Sequence, residues 1–285
     1  MTVTTRTVKS ADGTAIVYDR FSPAGATTGT VVLVGGAFSR RDLPKTAEMA
    51  QFLCADHDLT VLTYDRRGRG DSGDSPGSYD PDQECDDLAA IIDAELADGE
   101  QVSLFGWSSG AVLALRAAGS PRVRGVGRVV AFEPPFVVDR SGHVPPADLT
   151  ERLHELIRAG QRARTVHYYM TRAIGVHPFF TTLLRLTPVW KERTAVAFST
   201  AHDWALMAPF TRGEPLDTAD WARVQVPVLV IAGGRSPAVL RTGARAIAAV
   251  LPHARYAEVP GLTPDPANEP LLEASQDFLT ASAPA

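Results

Sequence analysis

The residues best placed to do chemistry form one pentapeptide, Gly106-Trp107-Ser108-Ser109-Gly110. It follows the apolar run Val102-Ser103-Leu104-Phe105, which reads as a strand, and precedes Ala111-Val112-Leu113-Ala114-Leu115-Arg116-Ala117-Ala118, which reads as a helix. Glycines two residues to either side of Ser108 permit a turn too sharp for side chains at those positions. Such a turn lifts the Ser108 hydroxyl to the carboxyl edge of a sheet. It also leaves the Ser109 backbone N–H at a helix N-terminus, aimed at a developing oxyanion. A serine becomes a nucleophile at neutral pH only beside a base, which an acid in turn orients. The rest of the chain should therefore supply a histidine and a carboxylate.

The flanking sequence supplies the elements that would position this serine. Alternation over residues 5–8, the turn Ala11-Asp12-Gly13-Thr14 and a second run over residues 15–21 predict a hairpin. Thr30-Val31-Val32-Leu33-Val34, ending in Gly35-Gly36, reads as a buried parallel strand. Helical spacing over residues 43–54, a strand at 60–64, a polar glycine-rich loop and a helix over 82–97 lead to the serine strand; Arg128-Val129-Val130-Ala131-Phe132 is the next strand. The pattern resumes with a strand at 228–232, a helix over 239–251, a strand at 255–259 and a closing helix over 271–280. Strands alternating with helices predict an α/β protein, its mainly parallel sheet covered on both faces, with the hairpin as an antiparallel edge.

Between these blocks, residues 134–222 show no convincing strand. A helix opens at Pro145-Pro146-Ala147-Asp148, and further helical pieces are expected around 164–174, 179–186 and 189–210. The organisation expected is a core of residues 1–133 and 223–285 with a helical cap, residues 134–222, over the carboxyl edge of the sheet. Most of the cap's aromatic residues should form its own small core. The pocket candidates are Trp107 beside the serine and Tyr168, Phe179, Trp190 and Trp204 of the insertion.

Composition narrows the partners. The 285 residues are 45% hydrophobic and carry a net charge of −5, which gives no electrostatic footprint for nucleic acid. The basic cluster Arg66-Arg67-Gly68-Arg69 is short, flanked by Asp65, Asp71 and Asp74, and reads as loop structure. The first residues do not resemble a signal peptide and no apolar run is long enough to span a bilayer, so a cytoplasmic protein without a membrane partner is expected. Cys54 and Cys85 fall in predicted helices without metal spacing and read as buried free thiols. No phosphate loop, dinucleotide fingerprint or metal cluster is seen, so no cofactor or metal is expected and the partner expected is a small-molecule substrate. Oligomeric state is left open.

Three features in order resemble the α/β-hydrolase superfamily, in its cap-bearing small-molecule branch: Val34-Gly35-Gly36-Ala37-Phe38 after one strand, Asp65-Arg66-Arg67-Gly68-Arg69-Gly70-Asp71-Ser72 after the next, and the serine turn. The resemblance covers nearly the whole chain. It implies an oxyanion hole built from the backbone N–H of Ser109 and that of Ala37 or Phe38. It also implies a catalytic acid after Gly233-Gly234, where Ser236 stands, and a histidine in the loop Pro260-Gly261-Leu262-Thr263, where Pro264 stands. A degenerate triad follows from that comparison. Glu133, at the end of the strand after the serine's helix, is where some relatives place their acid, and a loop-ordering carboxylate is the equal alternative. Asp265 is the other candidate carboxylate. His57 and His253 are expected at the opposite edge of the sheet, and His143, His154, His167, His177 and His202 lie in the insertion.

Without an imidazole the Ser108 hydroxyl stays protonated and is a poor nucleophile. An oxyanion hole, a hydroxyl donor, a carboxylate at Glu133 or Asp265 and an apolar capped pocket suit proton transfer beside a carbonyl. Cyclisation, lyase or isomerase chemistry is the first reading. A serine hydrolase (esterase, thioesterase or lactonase) with an unidentified base and a ligand-binding pseudoenzyme are the alternatives.

Overall fold

Strands covered on both faces have no polar side to show, and the central runs of this chain carry no charge apart from Arg128 for that reason. A computed structural model describes residues 1–264 and 269–281. In chain order the elements are β1 (Thr2–Lys9), β2 (Ala15–Ser22), β3 (Gly29–Val34), α1 (Pro44–His57), β4 (Leu59–Tyr64), α2 (Pro81–Glu95), β5 (Val102–Trp107), α3 (Ser109–Gly119) and β6 (Val126–Phe132). A helical excursion follows: α4 (Leu149–Arg158), α5 (Arg162–Tyr168), a π-turn (Tyr169–Ala173), α6 (Pro178–Leu184), α7 (Pro188–Ala195), α8 (Thr200–Met207) and α9 (Thr218–Trp221). The chain then returns through β7 (Val228–Gly233), α10 (Ala238–Val250), β8 (Ala254–Val259) and α11 (Glu269–Thr280).

The eight strands form one sheet in the order β1-β2-β4-β3-β5-β6-β7-β8. The hairpin β1–β2 and the β2–β4 pair are antiparallel, and every other pairing is parallel. Alternate residues of each strand face opposite layers. Val32, Leu104, Val129 and Val230 pack with Leu88 and Ile91 of α2, Leu113 of α3 and Ile247 of α10. Val31, Phe105, Val130 and Ile231 pack with Leu53 of α1 and Leu272 and Phe278 of α11. Cys54 and Cys85 are free and buried, and burial pushes the Cys85 thiol up to about 12, so it stays protonated.

Helix α8 seats the excursion on the sheet: Trp204, Leu206 and Met207 join the same apolar cluster as α3. The run expected to be helical over 189–210 breaks at Val196, whose backbone has φ −107° and ψ 20°. The Arg162 guanidinium of α5 donates to the carbonyls of Thr194 (3.2 Å) and Ala195 (2.7 Å), taking acceptors that a continuing helix would use. The break turns α8 down toward the sheet.

At the β5–α3 junction the glycines are required by contact. A Cβ built on Gly110 would lie 2.1 Å from the Val34 carbonyl oxygen, and one on Gly106 would lie 2.4 Å from the Gly110 carbonyl oxygen. Nothing lies within 4 Å of the corresponding position on Gly25. We predict that Gly110→Ala costs more than about 3 kcal/mol in urea unfolding, whereas Gly25→Ala stays within about 0.5 kcal/mol of the parent. Equal effects would show that the junction is not constrained.

Candidate active site

Ser108 sits between β5 and α3 with φ 53° and ψ −128°, a backbone conformation unusual for a residue with a side chain. Its amide donates to the Phe132 carbonyl (2.9 Å) and its carbonyl accepts from Ala111 (2.9 Å), so both neighbours hold the strained turn in place. The side chain lines a cavity of about 190 Å³. Ser109 is the first residue of α3, where the amide has no intrahelical partner.

The turn after β3 passes close to this serine. A Cβ on Gly36 would lie 2.8 Å from the Trp107 carbonyl oxygen and 3.0 Å from Ser108 Cβ, so only glycine fits there. Two buried guanidiniums set the orientation of the turn. Arg66 Nη1 donates to the Gly35 carbonyl (3.1 Å) and Arg69 Nη1 to the Gly36 carbonyl (2.7 Å). In a trans peptide the next N–H points the opposite way. Fixing the Gly36 carbonyl on Arg69 therefore directs the Ala37 amide away from the arginine. Among the described residues neither Ala37 nor Phe38 donates its amide to a backbone carbonyl, and Phe38 has φ 66°.

Asp203 of α8 holds both arginines. Its Oδ1 accepts from Arg66 Nη1 (2.8 Å) and from the Ser109 hydroxyl (2.7 Å), and its Oδ2 accepts from Arg69 Nη2 (2.7 Å). Arg66 also makes a two-point pair with Glu84, at 2.6 Å through both Nε and Nη2. All four ionic side chains are buried. Burial alone would push the Glu84 carboxyl up. Arg66 and the Tyr79 hydroxyl outweigh it and leave the value at about 2. Arg67, also buried, pairs with Asp87 and Asp12, so the cluster is loop structure as its sequence suggests, but its main partners are distant carboxylates. Asp65 instead accepts the amides of Arg41 and Asp71.

Glu133 follows β6 with φ 48°, is 3% exposed, and lines the same cavity as Ser108. Burial raises its carboxyl above the ordinary range, against the Gly233 amide, which donates to Oε1 at 2.8 Å, and the adjacent Ser236 hydroxyl. That hydroxyl is buried beside the carboxylate without a well-aligned hydrogen bond. Pro264 lines the cavity, while Asp265 lies outside the described residues.

Of the aromatic candidates, Trp107 and Trp204 line the cavity and the other three do not. Trp204 turns its indole N–H onto Thr150 Oγ1 (2.8 Å) and so offers carbon to the cavity. Tyr168 packs against the main core, Trp190 joins a small cluster around Val166 and Met170, and Phe179 is 58% exposed. Tyr169 lines the cavity in place of Tyr168, because adjacent residues of a helix lie about 100° apart and only one of the two can face it. The apolar wall is completed by Phe132, Val137, Ile174, Met207 and Leu240. His143 also lines it, with Nε2 2.8 Å from the Arg172 carbonyl. A carbonyl only accepts, so Nε2 carries the proton and Nδ1 is left as an acceptor. Asp203, Arg66 and Arg69 were not legible as a unit, because Asp203 lies 137 and 134 residues from its partners.

Sheet order, the serine junction and the cavity at its carboxyl edge define an α/β-hydrolase fold. Residues 31–276 match the alpha/beta hydrolase family, and the chain belongs to that family. It is similar to an alpha/beta hydrolase from Sphaerobacter thermophilus, with 40% identity and a TM-score of 0.82 over 96% of this chain and 99% of that one. An enol-lactonase from Burkholderia xenovorans shares the fold at 18% identity and a TM-score of 0.67, covering 95% of this chain and 97% of its own. An esterase from Rhodococcus does so at 21% identity and a TM-score of 0.64, covering 97% and 98%.

Two measurements test the ionic cluster. Asp203→Ala leaves buried arginines short of a counter-charge and should cost about 3–5 kcal/mol in urea unfolding. For Glu84 the folded value, about 2, lies below the ordinary 4.5, so its contribution is present above about 4.5 and lost as pH falls through about 2. The stability gap between parent and Glu84→Gln should thus be widest near about pH 7 and narrow by about pH 3. A gap independent of pH would remove the ion pair from the account.

Proposed function

We propose that the chain is an enzyme that moves a proton next to a carbonyl group of an apolar small molecule, by cyclisation, lyase or isomerase chemistry rather than hydrolysis. The observation that carries this reading is the lining of one apolar cavity by Ser108, Glu133 and Pro264, with proline where an imidazole is expected. In this reading the triad is degenerate, with Ser236 and Pro264 at its acid and histidine positions, and residues 134–222 act as a cap over the cavity. The substrate carbonyl oxygen lies against the amides of Ser109 and Ala37 or Phe38, which stabilise negative charge as it develops. The Ser108 hydroxyl donates a further hydrogen bond to the same oxygen. The Glu133 carboxylate takes the adjacent C–H proton and returns it to the product; burial, by raising its pKa, makes it a stronger base than an exposed carboxylate. Trp107, Tyr169, Trp204 and Met207 exclude water from the charged intermediate.

A second reading rests on His143. With Nε2 on the Arg172 carbonyl, Nδ1 is the ring's acceptor, and the residue lines the cavity that Ser108 lines, which favours a serine hydrolase with a relocated base. The structural neighbours named as a lactonase and an esterase are compatible with that alternative.

The readings separate in one set of variants. For proton transfer, turnover of a 1,3-dicarbonyl compound should persist in Ser108→Ala within about tenfold and fall by about two orders of magnitude or more in Glu133→Gln. The parent rate should rise with pH through the raised Glu133 value, a limb that Glu133→Gln lacks. Rapid fluorophosphonate labelling of Ser108 that is lost in His143→Ala would instead establish the hydrolase and end the proton-transfer reading. Ligand binding without turnover in every variant would leave a binding protein. Pro264→His should confer slow ester hydrolysis if Glu133 stands where an acid can orient the new imidazole; no gain in the presence of a normally folded variant would count against that placement.

A further inference from the structure

Apart from Met1 and Val3, every large apolar side chain exposed among the described residues lies between positions 174 and 189: Ile174, Phe179, Phe180, Leu183, Leu186 and Val189. Phe180 and Leu186 are 62% and 85% exposed. Helix α6 is anchored from beneath by Thr181, which is buried against His167 Nδ1 at 2.8 Å, and by Leu184 in the cluster with Val166 and Met170. Its outer face is therefore held in place rather than free to turn inward. Ile174 belongs at once to this patch and to the cavity wall. Ile174 thus places one member of the exposed apolar set at the Ser108 cavity.

Charge around the patch runs opposite to that of the whole chain. Residues 160–194 carry Arg162, Arg164, Arg172, Arg185, Lys191 and Arg193 against one acid, Glu192, in a protein of net charge −5. The first five are exposed, and among the described residues none has a carboxylate partner. Elsewhere arginines such as Arg20, Arg41, Arg116, Arg122 and Arg245 are paired. Arg185 stacks over Trp190, 5.2 Å from the ring centre, which keeps cation and indole together at the rim. Exposed aromatic and aliphatic side chains rimmed by unpaired cations are what a segment lying on an anionic lipid surface presents.

We infer that the α6 face, centred on Phe179, Phe180, Leu183 and Leu186, docks on the surface of an anionic lipid bilayer and opens the Ser108 cavity toward it. Among the described residues no helix is long and apolar enough to cross a membrane, so the contact is peripheral. A second copy of the chain fits less well, because two-fold pairing of this face would bring the unpaired cations together. None of its central four residues lines either described cavity, which suits a fluid surface better than a peptide groove. This inference departs from the sequence expectation of no membrane partner, which rested on the lack of a spanning apolar run, and it holds for either chemistry at Ser108.

Flotation of the full chain with phosphatidylcholine vesicles, with and without about 30% phosphatidylglycerol, tests it. Binding should require the anionic lipid and weaken with salt. Arg185→Glu and Lys191→Glu should each lower the partition coefficient by about fivefold or more. Phe180→Asp combined with Leu183→Asp should lower it by at least about tenfold, with the thermal melt of the parent retained because both side chains are exposed. Partitioning no greater into anionic than into neutral vesicles, or unchanged by these substitutions, would overturn the proposal. So would a dimer seen by light scattering and lost in Phe180→Asp, which would assign the face to a second copy.

Discussion

Asp203 is the carboxylate on which three parts of the molecule meet. Helix α8 carries it in from the excursion between β6 and β7, and its two oxygens bind Arg66 and Arg69 from the loop after β4 and the Ser109 hydroxyl at the head of α3. The arginines pass the constraint on to the carbonyls of Gly35 and Gly36. Buried charges are stable only when each is matched and its remaining donors are satisfied. Here that requirement forces the excursion, the β3 turn and the serine junction into one arrangement. The turn after β3 is held by ionic partners that do not themselves line the cavity.

Around this cluster the serine junction is built by exclusion. Gly36, Gly106 and Gly110 bring backbone within a distance that any Cβ would violate, and Ser108 takes a positive φ because the segments on both sides are fixed by hydrogen bonds. Glu133 does the same at the end of the neighbouring strand, with φ 48°. Two strained residues on adjacent parallel strands thus point polar side chains into one cavity whose other walls are mostly carbon.

That cavity combines a well-defined serine with a buried carboxylate. Glu133, held by the Gly233 amide and raised by burial, stands in it, and Pro264 lines the wall. Ile174 belongs both to the cavity wall and to the exposed apolar residues of the 174–189 stretch.

The strand and helix pattern was legible from local sequence because burial on two faces imposes continuous apolar runs, and the glycines around Ser108 marked the turn by their spacing. Glu133 was legible as a strand-end carboxylate, and it lines the Ser108 cavity together with Pro264. The sequence could not show which aromatic of the excursion reaches the cavity, because neighbours such as Tyr168 and Tyr169 lie about 100° apart around a helix and only packing chooses between them. Nor could it couple Asp203 to Arg66 and Arg69. Their pairing depends on where a break at Val196 sends α8, a decision made by Arg162 capping carbonyls on a different helix. Local periodicity determines the elements; long-range satisfaction of buried charge and backbone acceptors determines how they meet.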